Sequence, residues 1–331
     1  MGKQRLFYVD ALRGFAILLV IIGHLSQGIW EDAPCSFLLP VVNIFHMSLF
    51  MLISGYVINI ETFPIKTHLK ILIPFFFWGL LNIYLFKRGT IQTFMCDEWK
   101  NGYWFLWAIV IFCLFLYVIR ILKINIIIGI IGIEILLLGV FYFTRNTLFC
   151  PLSSIRRLLI LWPFYSLGII LNRGLFTRLK SKAKMIFISN ILIIIFISAI
   201  SKYLFPQLDL INLKSYPILR MILAFPICID LLLAFYYAEQ FFKGNKSKIK
   251  LHIKEIGNVI GKHTLQIYVL HYFILDITLP WRHSLGQYMI NNNIVRIELI
   301  ISPILAILIS YICVYISKLI YKLHLGIVFG R

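Results

Sequence analysis

The sequence predicts an all-α protein that crosses a membrane about ten times, on the basis of composition, apolar run length and charge distribution. Hydrophobic residues make up 61% of the 331 residues and charged residues only 14%. The mean hydropathy is +0.91, whereas an ordinary soluble domain is only about 45–50% apolar. Because no soluble core could bury so much apolar surface, the surrounding solvent must be lipid.

Ten apolar runs are long enough to be membrane-spanning helices, which need about 20 residues to cross the hydrocarbon. They cover residues 8–30, 37–60, 70–87, 102–120, 124–144, 157–174, 184–204, 217–240, 257–279 and 294–317. The first run is too long for a signal peptide and lacks a cleavage site, so we interpret it as an uncleaved helix. An even number of crossings returns the chain to its starting side.

The basic residues indicate how the chain is oriented. The net charge is +19, and the connections on the side of the N-terminus hold most of the Lys and Arg. The positive-inside rule therefore predicts a protein of the inner (plasma) membrane with both termini cytoplasmic. A nucleic-acid partner is not expected, because the basic residues lie between apolar runs and form no patterned patch. No connection is long enough to fold alone, so residues 1–331 are predicted to form a single integral-membrane domain with no fused soluble domain.

The first span contains an arginine and a histidine, in the stretch DALRGFAILLVIIGHLSQ (Asp10–Gln27). His24 lies eleven positions after Arg13, a spacing that returns a helix to within about 20° of its start, roughly 16 Å along the axis. The two side chains therefore share one face. Each has a simpler explanation, an anchor that reaches the interface for Arg13 and an interhelical hydrogen bond for His24. Together they offer an anion-binding group inside and a proton-transfer group towards the outside.

Further polar groups are predicted at the depth of this histidine. The second span carries His46 and then the small pair Ser54 and Gly55, which permits close backbone approach. The ninth span places Tyr268 and His271 three residues apart on one face. Histidines on three different spans at similar depth indicate a lined cavity. No HxxxH spacing or carboxylate companion is present, and the six cysteines include no CxxC pair, so no metal is expected.

These residues carry a resemblance to a known family. The segment VDALRGFAILLVIIGH closely resembles the opening of the integral-membrane acyltransferase family 3, whose hallmark is R-x10-H, and Arg13 and His24 match that spacing. One departure is the Phe-x-x-Gly step of the sixth helix, which here has one residue more, from Phe164 to Gly168. Weaker matches follow in the family's order: FHMSLFMLISGY, GYWFLWAIVIF, RRLLILWPFYSLGIIL and LQIYVLH.

The resemblance implies transfer of an acyl group, usually acetyl, from cytoplasmic acetyl-CoA to a hydroxyl of a glycan or lipid-linked saccharide. By that resemblance Arg13, with Asp10 as its i, i+3 partner, holds the CoA phosphates, and the pantetheine arm runs along the helix towards His24. His24 then acts as a general base or carries the acyl group itself. On the donor side Ser54 and Gly55 line the path. Tyr268, His271 and Ser54 are candidate oxyanion donors.

The acceptor side is predicted to include a histidine, two arginines and a tryptophan: His46, Arg156, Arg157 and Trp104. The two arginines have an alternative role as interfacial anchors, and Trp104 has one in the aromatic belt. Carboxylates within spans are functional by default, although a structural pair with a Lys or Arg explains them equally well. The chain has three of these: Glu134, Asp230 and Glu298.

Two other functional classes fit the same composition. A saccharide exporter or flippase would also need many spans and polar groups at depth, although no inverted repeat is visible. A scaffold in a glycan-assembly complex would not need Arg13 and His24 on one stripe. The sequence leaves open the acceptor, the choice between acetyl and succinyl, and the oligomeric state.

Overall fold

The computed structural model describes residues 6–30, 36, 38–62, 64–204, 217–243, 257 and 259–330, and within them the protein is helical without strands. The helices are α1 (Phe7–Trp30), α2 (Leu38–Val57), α3 (Ile65–Leu69), α4 (Leu72–Phe86), α5 (Ile91–Cys96), α6 (Trp104–Ile121), α7 (Ile126–Thr144), α8 (Phe149–Ser153), α9 (Ile155–Ile170), α10 (Phe176–Ser181), α11 (Ala183–Leu204), α12 (Pro217–Lys243), α13 (Thr264–Ile277), α14 (Leu279–Asn291) and α15 (Glu298–Lys322). The predicted all-α fold is confirmed.

Within these described ranges, eight helical stretches are long and apolar enough to cross a membrane. Two shorter apolar stretches, Ala183–Ile197 and Thr264–Ile277, coincide with two more of the predicted spans. About ten crossings therefore remain plausible, and the protein is a multi-pass membrane protein. The ninth predicted span, 257–279, is shortened because the helix breaks at His263, whose Nδ1 bonds to the Val259 carbonyl at 2.8 Å. Both chain ends, predicted to be cytoplasmic, lie outside the described residues.

The chain folds into two compact units. Unit 1 comprises Met1–Ile53 and Ile170–Tyr315, and unit 2 comprises Ser54–Ile169 and Ile316–Arg331. The prediction of one functional domain over the whole chain stays a prediction.

Helix α1 forms the core of unit 1, where it packs against α12, α13 and α14. In α1, 72% of the most apolar 18-residue stretch is buried, whereas in α7 of unit 2 only 17% of the corresponding stretch is buried. A helix that is apolar all round is expected where neighbours surround it, whereas α7 presents its apolar surface to lipid. The charged and polar groups of α1 are therefore held among other helices.

The two ends of α1 meet different partners within unit 1. Near its start the backbone N–H of Tyr8 donates to Glu239 at the end of α12 over 3.0 Å. Near its end Ser26 donates to Glu298 at the start of α15 over 2.6 Å. The start of α1 thus lies beside the end of α12, and the end of α1 beside the start of α15, which fits the predicted alternation of crossings.

Unit 2 contains the glycine contact expected from the small pair in the second span. The backbone of Gly55 lies so close to α9 that a Cβ would collide with the carbonyl oxygen of Tyr165. Only glycine lacks a Cβ, so only glycine allows the two helices to come this close. The close backbone approach predicted for this position is therefore confirmed.

Candidate functional site

The histidine of the first helix is held in a chain of three side chains in unit 1. The Nδ1 of His24 lies 3.0 Å from Oε1 of Gln27, one turn further along α1. Its Nε2 lies 3.2 Å from the hydroxyl of Tyr272 on α13. His24 is half-buried and Gln27 is exposed, in contrast to the buried residues on either side of them.

These contacts assign the proton on the neutral imidazole. With the Gln27 amide in this orientation, its oxygen accepts from Nδ1–H of a neutral His24, and Nε2 then carries the lone pair that accepts from the Tyr272 hydroxyl. Gln27 and Tyr272 thus contact the two ring nitrogens of His24 from opposite sides.

An arginine fixes the backbone beneath the histidine. Buried Arg282 of α14 donates from Nη1 to the carbonyl of His24 at 2.9 Å and from Nη2 to the carbonyl of Leu275 at 2.6 Å. Its guanidinium passes over Gly28, where any Cβ would collide with it. Gly28 thus keeps open the space through which α14 holds this turn of α1.

Of the two residues predicted on the ninth span, His271 lies beside His24. Its ring centre is 5.6 Å from that of His24 and 4.0 Å from that of Tyr272. It is fully buried, and Nδ1 contacts the carbonyl of Ile267 at 3.1 Å. Nε2 has no hydrogen-bond partner among the described residues. Tyr268 is buried behind it, 5.9 Å from the His271 ring.

His46 belongs to the same group in unit 1. Its Nδ1 lies 2.7 Å from the carbonyl of Val42, one turn earlier on α2, and it lies within electrostatic range of His24 and Arg220. Of the three predicted histidines, His24 and His271 therefore have neighbouring rings, and His46 lies within electrostatic range of His24. No group of three His, Cys, Asp or Glu side chains in the described part of the chain is arranged to hold a metal ion.

Arg13 and its predicted partner form an ion pair at the other end of α1. Nη1 of Arg13 lies 3.7 Å from Oδ1 of Asp10, as the i, i+3 spacing predicts. Between Arg13 and His24 this face of α1 is covered by other side chains, since Ile17 and Val20 on it are 0% and 2% exposed. A pantetheine arm along this stripe therefore needs the side chains over Ile17 and Val20 to move.

The remaining predicted residues fall in unit 2: Ser54, Gly55, Trp104, Arg156 and Arg157. Arg156 is exposed and Trp104 is buried. The guanidinium of Arg157 lies 4.8 Å from the Trp104 ring centre and 3.2 Å from that of Trp99. Its Nε is 3.7 Å from Oε1 of Glu98. The two predicted arginines thus differ, because Arg156 is exposed whereas Arg157 is stacked on tryptophan rings.

The three carboxylates within spans occupy different environments. Buried Glu298 accepts hydrogen bonds from Ser26 and Ser36 at 2.6 and 2.7 Å, and Asp230 accepts one from Asn190 at 2.7 Å. One carboxyl oxygen of Glu134 is buried without a hydrogen-bond partner among the described residues. The partners of Glu298 and Asp230 include hydroxyl and amide groups, which sequence spacing did not indicate.

Comparison with known proteins identifies the family of the chain. The family model described as an acyltransferase domain, acyltransferase 3, matches residues 6–318. The chain belongs to the acyltransferase 3 family. The resemblance noted from R-x10-H is therefore confirmed, and the family's description as an acyltransferase domain supports the predicted enzyme class.

Two relatives in this family match over part of their length. The chain is 33% identical over 118 residues to the nodulation protein NolL of Mesorhizobium japonicum, covering 30% of this chain and 32% of the relative. It is 32% identical over 119 residues to the NolL of Sinorhizobium fredii, with the same two shares. The chain thus aligns with about a third of each relative. No solved structure matches it.

Sequence reasoning did not identify Gln27, Tyr272, Arg282 and Arg220. Gln27 had a usable signal, since i, i+3 neighbours on a helix face each other. The position of Tyr272 next to His271 gave no such signal, because its partner lies 248 residues away.

Proposed function

We propose that this acyltransferase moves an acetyl group from cytoplasmic acetyl-CoA to a hydroxyl of a glycan or lipid-linked saccharide. It does so as one functional domain in the inner membrane, with both termini in the cytoplasm. The observation that carries the proposal is the hydrogen-bonded chain Gln27–His24–Tyr272. It combines a base, a residue that orients the base and a hydroxyl donor, which are the groups that transfer to a hydroxyl requires.

The tautomer of His24 determines the path of the proton that leaves the acceptor hydroxyl. Nε2 takes the proton of the acceptor hydroxyl while the acceptor oxygen attacks the thioester carbonyl. The carbon–sulfur bond then breaks, and the imidazolium returns the proton to the CoA thiolate, so that neither protons nor charge accumulate. The Tyr272 hydroxyl, 3.2 Å from Nε2, donates to the oxyanion that forms in between.

The remaining predicted site residues have roles on either side of this step. On the donor side Arg13, held by Asp10, binds CoA phosphate through charge-assisted hydrogen bonds. Ser54 lines the donor path, and Gly55 contributes by letting α2 pack closely against α9. On the acceptor side the proposed contacts are those of His46, Arg156, Arg157 and Trp104. Tyr268 and His271 support the catalytic ring.

The general-base role and the acyl-carrier role of His24 predict different intermediates. A carrier forms an acetyl-imidazole at Nε2, which requires the Tyr272 hydroxyl to leave this nitrogen. With acetyl-CoA alone, rapid quenching would then trap label on the protein. The general-base role also requires Nε2 to release the Tyr272 hydroxyl, so this contact does not separate the two roles. Trapped label would identify the carrier, and its absence would identify direct transfer.

Radiolabelled acetyl-CoA, purified protein in nanodiscs and a saccharide-lipid extract from the same cells test the function. Wild type should transfer label to saccharide, His24→Ala should not, and exposed His324→Asn should match wild type. Mass spectrometry of surface glycans with and without the gene identifies the acyl mass and the acceptor. Saccharide translocation without label would instead indicate an exporter, and label on a non-saccharide would remove the proposed acceptor class.

A further inference from the structure

The loop between α5 and α6 in unit 2 has a strained backbone. Lys100, Asn101 and Gly102 have φ angles of 45°, 48° and 92°. Two consecutive non-glycine residues in the left-handed region each cost roughly 1–3 kcal/mol, so the surroundings must hold them there.

Hydrogen bonds to a neighbouring loop hold this conformation. The buried ammonium of Lys100 donates to the carbonyls of Met95, Asp97 and Leu152 at 2.7, 3.2 and 3.0 Å. The hydroxyl of Ser154 donates to the carbonyl of Glu98 at 3.1 Å. The loop is therefore tied on both sides to the turn before α9, and the residue between these ties has a fixed position.

That residue is Trp99, which is 52% exposed. The Arg157 guanidinium lies 3.2 Å from the centre of its ring, so one face of the indole is covered and the exposed surface lies on the other face and the edges. Arg157 is itself held by Glu98 at 3.7 Å and by the buried ring of Trp104. The exposed ring is thus immobilised beside one carboxylate and one guanidinium.

A membrane anchor does not require this construction. A tryptophan in an interfacial belt needs only an apolar body and a wet edge, without a strained loop or a cation on one face. A fixed open indole face with a carboxylate and a guanidinium at its edge matches the chemistry of a pyranose ring. Its C–H face is attracted to the negative aromatic face, and its hydroxyls hydrogen-bond to the charged groups.

We propose that Trp99, with Glu98 and Arg157, is a stacking site for one sugar ring of the acceptor. The proposal rests on the saccharide acceptor of the proposed function and names residues that recognise it. The site belongs to acceptor binding and not to the chemical step. Loss of the indole should therefore raise the acceptor KM and leave kcat nearly unchanged.

The experiment compares Trp99→Ala with Trp281→Ala, a matched variant because Trp281 is 53% exposed and belongs to unit 1. Neutral tetrasaccharides of glucose and of N-acetylglucosamine are titrated onto the protein in nanodiscs, and the acceptor KM is measured with acetyl-CoA. Trp99→Ala should weaken binding and raise KM about tenfold or more, as expected when an aromatic stacking partner is lost. Trp281→Ala should change neither.

Trp99→Phe keeps a smaller aromatic ring and should give an intermediate KM, with unchanged binding of CoA. Equal KM values for wild type and Trp99→Ala, together with transfer to saccharide, would overturn the stacking site and leave the proposed function standing. A wild type that binds and acetylates no tetrasaccharide would overturn the stacking site, and one that also transfers no label to the saccharide-lipid extract would overturn both. Quenching by brominated lipid that disappears in Trp99→Ala, with KM unchanged, would identify Trp99 as a membrane anchor.

Discussion

At the scale of single residues, the two tyrosines of α13 should separate in function. Tyr272 bonds to Nε2 of His24 at 3.2 Å, whereas Tyr268 lies behind His271. We expect Tyr272→Phe to lower kcat by about 10²-fold, the loss typical of one oxyanion donor, with Tyr268→Phe close to wild type. Steady-state kinetics with labelled acetyl-CoA measures both. A larger loss in Tyr268→Phe would show that the sequence-level candidate, and not the contact in the structure, carries the donor role.

Arg13 should govern the donor and leave the acceptor unaffected. Losing a hydrogen bond to a charged group costs about 1.5–3 kcal/mol, so Arg13→Ala should weaken CoA binding about ten- to a hundredfold. Arg13→Lys should restore only part of the affinity, because lysine lacks the planar fork. Isothermal titration with CoA in nanodiscs measures this, with exposed Arg173→Ala as control. CoA affinity like wild type in Arg13→Ala would return Arg13 to the role of an orientation anchor.

At the scale of helices, the contact between α2 and α9 depends on one missing methyl group. A Cβ at Gly55 would collide with the Tyr165 carbonyl, whereas Gly132 on α7 has nothing within 4 Å. Gly55→Ala should therefore destabilise the protein by about 1–3 kcal/mol, the usual cost of overpacking. Gly132→Ala should be neutral or slightly stabilising, because alanine is the better helix former. Thermal unfolding in detergent compares the two, and equal melting temperatures would contradict the close contact.

The stability of the loop that carries Trp99 should depend on Lys100 and on pH. Lys100→Met leaves the carbonyls of Met95, Asp97 and Leu152 without their donor, and each buried group without a partner costs about 1–3 kcal/mol. The variant should therefore melt earlier than wild type, whereas exposed Lys123→Met should not.

Burial lowers the pKa of Lys100 from its ordinary value of 10.5, against the opposing effect of Asp97. Between the lowered value and about 10.4, the pKa in the unfolded chain, the folded state binds fewer protons. Within that window the wild-type free energy of unfolding should rise with pH, and the rise should be smaller in Lys100→Met. Urea unfolding at several pH values measures the slope, and identical slopes would refute the role of Lys100.

At the scale of the whole molecule, the charge bias predicts which loops face outwards. Asn292 lies between α14 and α15 and Lys123 between α6 and α7, and both are exposed. In a cysteine-free background, an impermeant maleimide applied to intact spheroplasts should label Asn292→Cys and not Lys123→Cys. The reverse result would invert the orientation, and labelling of both would contradict the number of crossings between them.

The amino-acid sequence was enough to predict the all-α membrane fold, the family and the shared face of Arg13 and His24. These follow from local properties: composition sets the solvent, run length sets the crossings, and a helical repeat places residues eleven apart on one stripe. The ion pair of Arg13 with Asp10 and the close approach at Gly55 were predictable for the same reason.

The contacts between side chains of distant segments depend on how the helices pack. Tyr272 reaches His24 across 248 residues of chain, and Arg282 reaches the same turn only because Gly28 leaves room for it. The sequence of an apolar helix does not show which of its faces contacts a neighbouring helix, since lipid and neighbouring helices favour the same residues. Close packing between distant segments determines which helix face contacts lipid and which contacts another helix. Because of that packing, Tyr272 and not Tyr268 contacts His24, and Arg157 stacks on Trp99.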